Sequence, residues 1–205
     1  MNKLRLAILV SGSGTTLQAI IDAIRKKELR DAEIAVVVSN KPDITALERA
    51  KKAEIETLVM NPKDFPERSL WCSAMAKEVK KRHVDLVCLA GFLQKLEPCF
   101  VRSFPGQIIN THPALLPKFG GAGMYGLHVH EAVLKAGETE TGCTLHAVDE
   151  EYDHGAILAQ VKVPVRPGDT PQTLAERVQA EERKLYPQVI QQIAEGKIKL
   201  EKTPV

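Results

Sequence analysis

The sequence predicts an α/β protein, a single domain with a mostly parallel, Rossmann-like sheet and helices on both faces. Short apolar runs rich in β-branched residues alternate with segments whose apolar residues recur at helical spacing. The first apolar run leads into a glycine loop, Ser11–Thr16, and then a helical pattern. Two later apolar runs flank an acidic turn, which predicts an antiparallel strand pair near the C-terminal end.

The first half of the chain contains four strand patterns, each followed by a turn or a glycine loop. Leu17, Ile20, Ile21 and Ile24 repeat at helical spacing after the first strand, and Asp43 is a candidate cap for the second helix. The expected strands are residues 4–10, 32–39, 55–60 and 84–90, and the expected helices are residues 17–24, 46–53 and 67–83.

The second half contains the end of a fifth strand, a strand pair and a long helix. Thr170 and Pro171 favour the start of that helix, and Pro187 inside it predicts a kink. The tail, residues 195–205, is expected to form a short strand or to be partly disordered. The other expected elements are strands at 107–110, 142–148 and 157–163 and a helix at 128–136.

The stretch around Asn110 and His112 carries the strongest chemical signal. Both residues follow a buried strand, and side chains two apart in extended chain lie on the same face. Ligands bind at this end of the strands in open α/β sheets. An Asn-x-His pair alone also suits an ordinary loop, but Asp153 in the turn 149–155 can supply a carboxylate. An amide, an imidazole and a carboxylate together suit acyl-type transfer.

The glycine loop is a candidate anion site. Gly14, Thr15 and Thr16 lie between a strand and a helix, where backbone amides and the helix dipole favour an anion. The loop lacks the lysine of a P-loop and the third glycine of the dinucleotide fingerprint. The alternative is a tight turn with a good helix cap.

Composition excludes several classes of protein. A formal net charge of +2 gives no strong attraction to nucleic acid or membrane, and no apolar stretch is long enough to span a bilayer. His128 and His130 lack a convincing third ligand, so no metal is expected. The four cysteines are scattered and contain no Cys-x-x-Cys pair, which predicts reduced thiols in a cytoplasmic protein: Cys72, Cys88, Cys99 and Cys143.

The run Asn-Thr-His-Pro-Ala-Leu-Leu-Pro at 110–117, with Asp153 downstream, resembles the signature of the folate-dependent formyltransferases. The resemblance covers about residues 4–200. It implies a transferase of purine synthesis that moves the formyl group of 10-formyltetrahydrofolate, a co-substrate, to the amine of 5-phosphoribosylglycinamide. The phosphate-type loop supports this branch, as does the expectation that the chain lacks a tRNA-gripping C-terminal domain and an N-terminal regulatory domain.

The resemblance also implies a role for each matching residue. Asn110 donates to the oxyanion, His112 moves a proton, and Asp153 raises the pKa of His112. Glu182 is expected to face the amine of the ribonucleotide, and the glycine loop is expected to hold its phosphate. The expected ribonucleotide contacts are therefore Gly14, Thr15, Thr16 and Glu182, and the expected folate contacts are Arg68, Leu93, Gln94, Lys95, Leu96 and Asn110.

Other questions stay open from the sequence. The chain is expected to divide into a nucleotide-phosphate half, residues 1–100, and a catalytic and folate half, residues 101–205. A hydrolase that releases formate from the same folate and a non-catalytic folate or nucleotide module are the alternatives. The glycine-rich loop Gly120–Gly126 is either a lid over the site or a loop without a catalytic role. The partners are expected to be small molecules, and the protein a monomer or homodimer.

Overall fold

A computed structural model of the chain describes residues 3–200. Seven strands and six α-helices alternate along these residues. The strands are β1 (Leu4–Val10), β2 (Ala32–Ser39), β3 (Thr57–Val59), β4 (Leu86–Leu89), β5 (Ile108–His112), β6 (Glu140–Ala147) and β7 (Ile157–Pro164). The helices are α1 (Thr15–Arg25), α2 (Thr45–Lys52), α3 (Arg68–Lys80), α4 (Pro98–Val101), α5 (Leu127–Lys135) and α6 (Pro171–Ala194), and Pro62–Asp64 form one turn of 3₁₀ helix.

The strands form one sheet in the order β3-β2-β1-β4-β5-β6-β7. Strands β1 to β5 pair in parallel, and β6 and β7 pair antiparallel, as the sequence predicted. The strand order reverses between β1 and β4, because the chain builds outwards first on one side of β1 and then on the other. A crevice opens at the carboxyl ends of the strands at such a reversal, and this is where ligands bind in doubly wound sheets.

Helices cover both faces of the sheet, because neighbouring residues of each central strand point to opposite sides. Leu6 and Ile8 of β1 pack into one core with α1, α2, α5 and α6, whereas Ala7 and Leu9 pack into a second core with α3 and α4. Trp71 of α3 is fully buried in the second core, and its indole nitrogen donates a hydrogen bond to the carbonyl oxygen of Met60 over 2.8 Å. The sheet therefore lies between two apolar cores, one on each of its faces.

Several boundaries differ from the sequence prediction for local reasons. Asp43 does not cap α2, because it lies in the left-handed region at φ 51° and the helix begins after Ile44. Helix α3 ends at Lys80 rather than at residue 83, because His83 also adopts a positive φ of 50°. Strand β5 continues two residues beyond Asn110 and includes His112.

The long C-terminal helix begins as predicted. The hydroxyl of Thr170 accepts a hydrogen bond from the amide of Thr173, and the hydroxyl of Thr173 accepts one from the amide of Thr170. Pro171 takes the first helical position. Helix α6 runs through the buried Pro187 to Ala194, and the kink expected there stays a prediction. Residues 195–200 contain no strand, and the rest of the predicted tail, residues 201–205, lies outside the described residues.

Gly142 in β6 tests the packing of the antiparallel strands. A Cβ atom at this position would lie 2.0 Å from the carbonyl oxygen of Val161 and 2.7 Å from the side chain of Leu115. We therefore expect Gly142→Ala to lower the free energy of unfolding by roughly 3 kcal/mol, measured by urea denaturation. Glu140→Ala on the same strand is the control and should cost less than about 1 kcal/mol, because its pairing with Lys162 is exposed. Equal effects of the two variants would contradict the prediction.

Candidate active site

A cavity of about 450 Å³ opens at the carboxyl ends of β1, β4 and β5. It is lined by the glycine loop, by the segments that follow β4 and β5, by the loop before α5, by the turn after β6 and by α5 and α6. All the predicted site residues except Arg68 line it: Gly14, Thr15, Thr16, Leu93, Gln94, Lys95, Leu96, Asn110, His112, Asp153 and Glu182. The fold therefore gathers residues as far apart in the chain as Gly14 and Glu182 in one concave site.

The position of Asn110 depends on the pairing of β5 with β6. Asn110 lies opposite His146 in the antiparallel register, and its side-chain nitrogen is 3.1 Å from Nε2 of His146. Nδ1 of His146 lies 2.8 Å from the carbonyl oxygen of Ala147 and must donate to it, since a carbonyl only accepts. In the neutral ring Nε2 is then an acceptor, so the Asn110 amide donates to it. The second amide hydrogen of Asn110 is left for a ligand.

His112 lies between a carbonyl and a carboxylate. Its Nε2 donates to the carbonyl oxygen of Phe119 over 2.8 Å, and its Nδ1 lies 3.4 Å from Oδ2 of Asp153. The amide of Gly121 donates to the same Oδ2 over 2.9 Å, and Oδ1 of Asp153 lies 3.5 Å from Nε2 of His146. Both ring nitrogens of His112 therefore face hydrogen-bond acceptors, which is the arrangement that suits a protonated ring.

Burial and charge act against each other at this pair. His112 is 3% exposed, and burial lowers its pKa more than the charge of Asp153 raises it. The carboxylate acts in the expected direction, but the net pKa of His112 falls rather than rises. Burial alone pushes the pKa of Asp153 upwards, and the nearby His146 ring, the charge of His112 and the Gly121 amide together lower it. The resting site therefore holds a neutral imidazole beside an ionised carboxylate near neutral pH.

The glycine loop is held tightly against α2. Gly14 has φ 71°, and a Cβ atom there would lie 2.6 Å from the Cβ of Ala46, so both the backbone conformation and the space require glycine. The amide of Ala46 donates to the carbonyl oxygen of Gly12 over 3.2 Å, and Nε of Arg49 donates to that of Ser13 over 2.9 Å. No side chain caps α1 within the described residues, so the amides at its start, which belong to residues that line the cavity, have no side-chain partner.

Glu182 reaches the same end of the cavity from α6. The hydroxyl of Thr16 donates to its Oε1 over 2.7 Å. Burial raises the pKa of Glu182, against a smaller lowering by the Thr16 hydrogen bond. The Glu182 carboxyl group is half-buried and has one hydrogen bond, so it has acceptor capacity left for a donor on a ligand.

Arg68 is the predicted contact that the structure does not place on the cavity wall. Its guanidinium donates to Glu97 over 2.9 Å, to the side chain of Gln94 over 3.1 Å and to the carbonyl oxygen of Lys95 over 2.8 Å. Arg68 thus braces the segment 93–96, which itself lines the cavity. A direct folate contact by Arg68 stays a prediction, and in this structure its guanidinium binds the protein's own groups.

Two buried histidines of the site were not predicted from the sequence. His146 is 2% exposed, and only the β5–β6 register reveals that it contacts Asn110 and Asp153. His130, 2% exposed, lines the cavity, and its Nδ1 has no hydrogen-bond partner within the described residues. Burial, with a smaller contribution from the charge of His112, lowers the pKa of His130 to about 4. The sequence singled out His130 only as a weak metal ligand.

The loop before α5 contributes backbone groups to the site. Its first residues provide the Phe119 carbonyl and the Gly121 amide that hold His112 and Asp153. Gly121, Gly123 and Gly126 have positive φ angles, so the path of this loop depends on glycine. Closure of the rest of the loop over a ligand stays a prediction.

Two further properties of the described part of the chain bear on function. Residues 3–200 contain no group of three or more His, Cys, Asp or Glu side chains placed to hold a metal ion. Over the same residues, every helix is too short or too polar to cross a bilayer.

Comparisons with known proteins agree with one another. The family model described as formyl transferase matches residues 4–190. Trifunctional purine biosynthetic protein adenosine-3 of Drosophila pseudoobscura pseudoobscura is 45% identical over 95% of this chain, which spans only 14% of that relative's length. Phosphoribosylglycinamide formyltransferase of Haemophilus influenzae is 40% identical over 96% of this chain and 90% of that protein. Glycinamide ribonucleotide transformylase 1 of Symbiobacterium toebii superposes with a TM-score of 0.91 at 40% identity, covering 97% of this chain and 91% of that one.

The buried His130 gives a prediction for stability against pH. Its pKa is about 4 in the folded protein and 6.5 in the unfolded chain, so the unfolded chain takes up the proton first as the pH falls. The folded protein therefore loses stability as the pH falls from 6.5 towards 4, because over this range only the unfolded chain gains the proton of this ring. We expect His130→Gln to reduce the slope of unfolding free energy against pH in this window by up to about 1.4 kcal/mol per pH unit.

Urea denaturation at a series of pH values measures this slope. His128→Gln is the matched control, because it removes an exposed ring from the same helix. Parallel stability profiles for the wild type and His130→Gln would contradict the prediction.

Proposed function

The chain belongs to the formyl transferase family, and we propose that it transfers the formyl group of 10-formyltetrahydrofolate to the amine of 5-phosphoribosylglycinamide. The products are formylglycinamide ribonucleotide and tetrahydrofolate, a step of purine synthesis. The observation that carries the proposal is the convergence of Asn110, His112 and Asp153 on the cavity that the glycine loop also lines.

Asn110 is placed to stabilise the tetrahedral intermediate. The amine attacks the formyl carbon, and the carbonyl oxygen takes up negative charge. One amide hydrogen of Asn110 is engaged by His146, so the amide orientation is set before the substrate arrives. The other hydrogen can donate to the oxyanion, and such preorganised donors are worth roughly 3 kcal/mol of transition-state stabilisation.

His112 is placed to carry the proton from the amine to the folate. The attacking amine loses a proton as the carbon–nitrogen bond forms, and the folate nitrogen gains one as its bond to the formyl carbon breaks. A neutral His112 can accept the first proton and return one to the leaving nitrogen. The imidazolium formed in between has both N–H groups directed at acceptors, the Phe119 carbonyl and the Asp153 carboxylate.

The two substrates are assigned to different ends of the cavity. Gly14, Thr15 and Thr16 offer uncapped amides at the start of α1 to the phosphate, and Glu182 has acceptor capacity for the amine. The main-chain groups of residues 93–96 can form hydrogen bonds with the edge of the folate heterocycle. The division of the chain into a phosphate half and a catalytic and folate half stays a prediction, and so does a monomeric or homodimeric state.

The reaction as written needs no metal, because a hydrogen-bond donor stabilises the oxyanion and an imidazole moves the proton. Its two substrates are small molecules, and no step involves nucleic acid or membrane. A cytoplasmic location fits the four cysteines, which are all free thiols in the folded chain. The location is part of the proposal.

A direct assay tests the proposal. The purified protein should convert both substrates to formylated product and tetrahydrofolate, and omission of the ribonucleotide should stop turnover. We expect His112→Ala to lower turnover by about 10³-fold while both substrates still bind, because proton transfer is lost. His128→Ala, which removes an exposed histidine outside the cavity, should stay close to wild type. Steady release of formate without the ribonucleotide would instead identify a hydrolase, and near-normal turnover of His112→Ala would refute its role.

The phosphate assignment has its own test. Thr15 is the first residue of α1, and an added carboxylate there should repel a phosphate. We expect Thr15→Glu to raise the Michaelis constant of the ribonucleotide by at least about tenfold and to leave that of the folate within about threefold. Thr45→Glu makes the same change at the first residue of α2, outside this cavity, and should alter neither constant. Equal weakening of both substrates by Thr15→Glu would count against the assignment.

A further inference from the structure

A buried serine joins the two parts of the cavity that are assigned to different substrates. Ser11 follows β1 directly and is 4% exposed. Its hydroxyl accepts from the amide of Leu93 over 2.9 Å and donates to Oδ1 of Asn40 over 2.6 Å. A serine hydroxyl has one hydrogen, so the direction of both bonds follows from the amide donor on one side.

These three residues follow three adjacent strands of the sheet. Asn40 follows β2, Ser11 follows β1, and Leu93 lies four residues after β4 ends at Leu89. Main-chain bonding between β1 and β4 ends where the amide of Ala90 donates to the carbonyl oxygen of Leu9 over 2.9 Å. Beyond that point the Ser11 hydroxyl continues the connection between the two strands.

The connection reaches the walls of the site without being part of them. Ser11 is the first residue of the glycine loop, whose residues 12–16 line the cavity. Leu93 is the first residue of the segment 93–96, which also lines it. Neither Ser11 nor Asn40 lines the cavity among the described residues, so the hydroxyl acts through its neighbours. One side chain therefore sets the distance between the loop assigned to the phosphate and the segment assigned to the folate.

We propose that Ser11 is a positioning residue that holds the two substrates in register for formyl transfer. The proposal rests on the proposed function. Transfer between two bound molecules requires the amine to lie in contact with the formyl carbon, and a misplacement of about 1 Å can cost roughly 10²-fold in rate. Each substrate still binds its own segment when the connection is broken, but the two reacting atoms no longer meet as often.

Ser11→Ala tests this role, because it leaves the Leu93 amide and the Asn40 side-chain oxygen without their partner. We expect kcat per folded active site to fall by about 10- to 100-fold. Neither substrate turns over without the other, so calorimetry can measure the dissociation constant of each one alone. Each constant should change by less than about threefold. A lower kcat with unchanged dissociation constants indicates that the two bound substrates are misaligned, because damage to the fold would also weaken binding.

Ser39→Ala is the matched control. Ser39 also ends a strand, is fully buried, and uses its hydroxyl for one donated and one accepted hydrogen bond. Both of its bonds go to Lys41, within its own turn, so it connects nothing across the sheet. We expect a comparable loss of stability and a kcat within about twofold of wild type.

The outcomes separate the two proposals. If the wild type transfers formyl groups and folded Ser11→Ala keeps wild-type kcat, or if Ser39→Ala loses as much kcat, the positioning role is overturned and the proposed function stands. If the wild type transfers no formyl group, both fall. If Ser11→Ala does not fold, Ser11→Cys replaces it, since a thiol is a weaker partner at the same place; a reduced kcat supports the role, and an unchanged kcat overturns it.

Discussion

The antiparallel pairing of β5 with β6 is the interaction on which the site depends. Strand β5 pairs with its parallel neighbour β4 only as far as Asn110, but it continues against β6 to His112. That continuation keeps Asn110 and His112 in extended chain at the edge of the crevice, on one face. The same pairing places His146 opposite Asn110 and leads the chain directly into the turn that carries Asp153. A parallel partner in place of β6 would direct that turn away from the site.

The low exposure of this cluster decides its electrostatics. Burial favours the neutral form of His112, and the surrounding donors favour the ionised form of Asp153. When His112 is protonated, its ring forms an ion pair with Asp153. Hydrogen-bond acceptors already face both ring nitrogens before the proton arrives. The site therefore reorganises little when charge moves, and this lack of reorganisation is a principal source of enzymatic rate enhancement.

Buried hydroxyl groups hold the ends of the strands around the cavity. Ser11 connects β1 with the segment after β4, and Thr16 connects the start of α1 with Glu182 of α6. The hydroxyl of Tyr186, also in α6, lies 3.1 Å from the carbonyl oxygen of Leu89 and 3.3 Å from that of Ile109. The Ser11 and Tyr186 connections lie where the ladder of the sheet ends, so they extend its rigidity into the loops that carry the chemistry.

The sequence by itself determined the alternation of strands and helices, the glycine loop and the close spacing of Asn110 and His112, because these depend on local periodicity and residue chemistry. Only the tertiary structure decided that His146 supports Asn110, that Arg68 braces a segment instead of lining the cavity, and that burial lowers the pKa of His112. Those outcomes depend on strand register and on depth below the surface. Both properties are set by contacts between residues far apart in the chain, so neither is written in any one stretch of it.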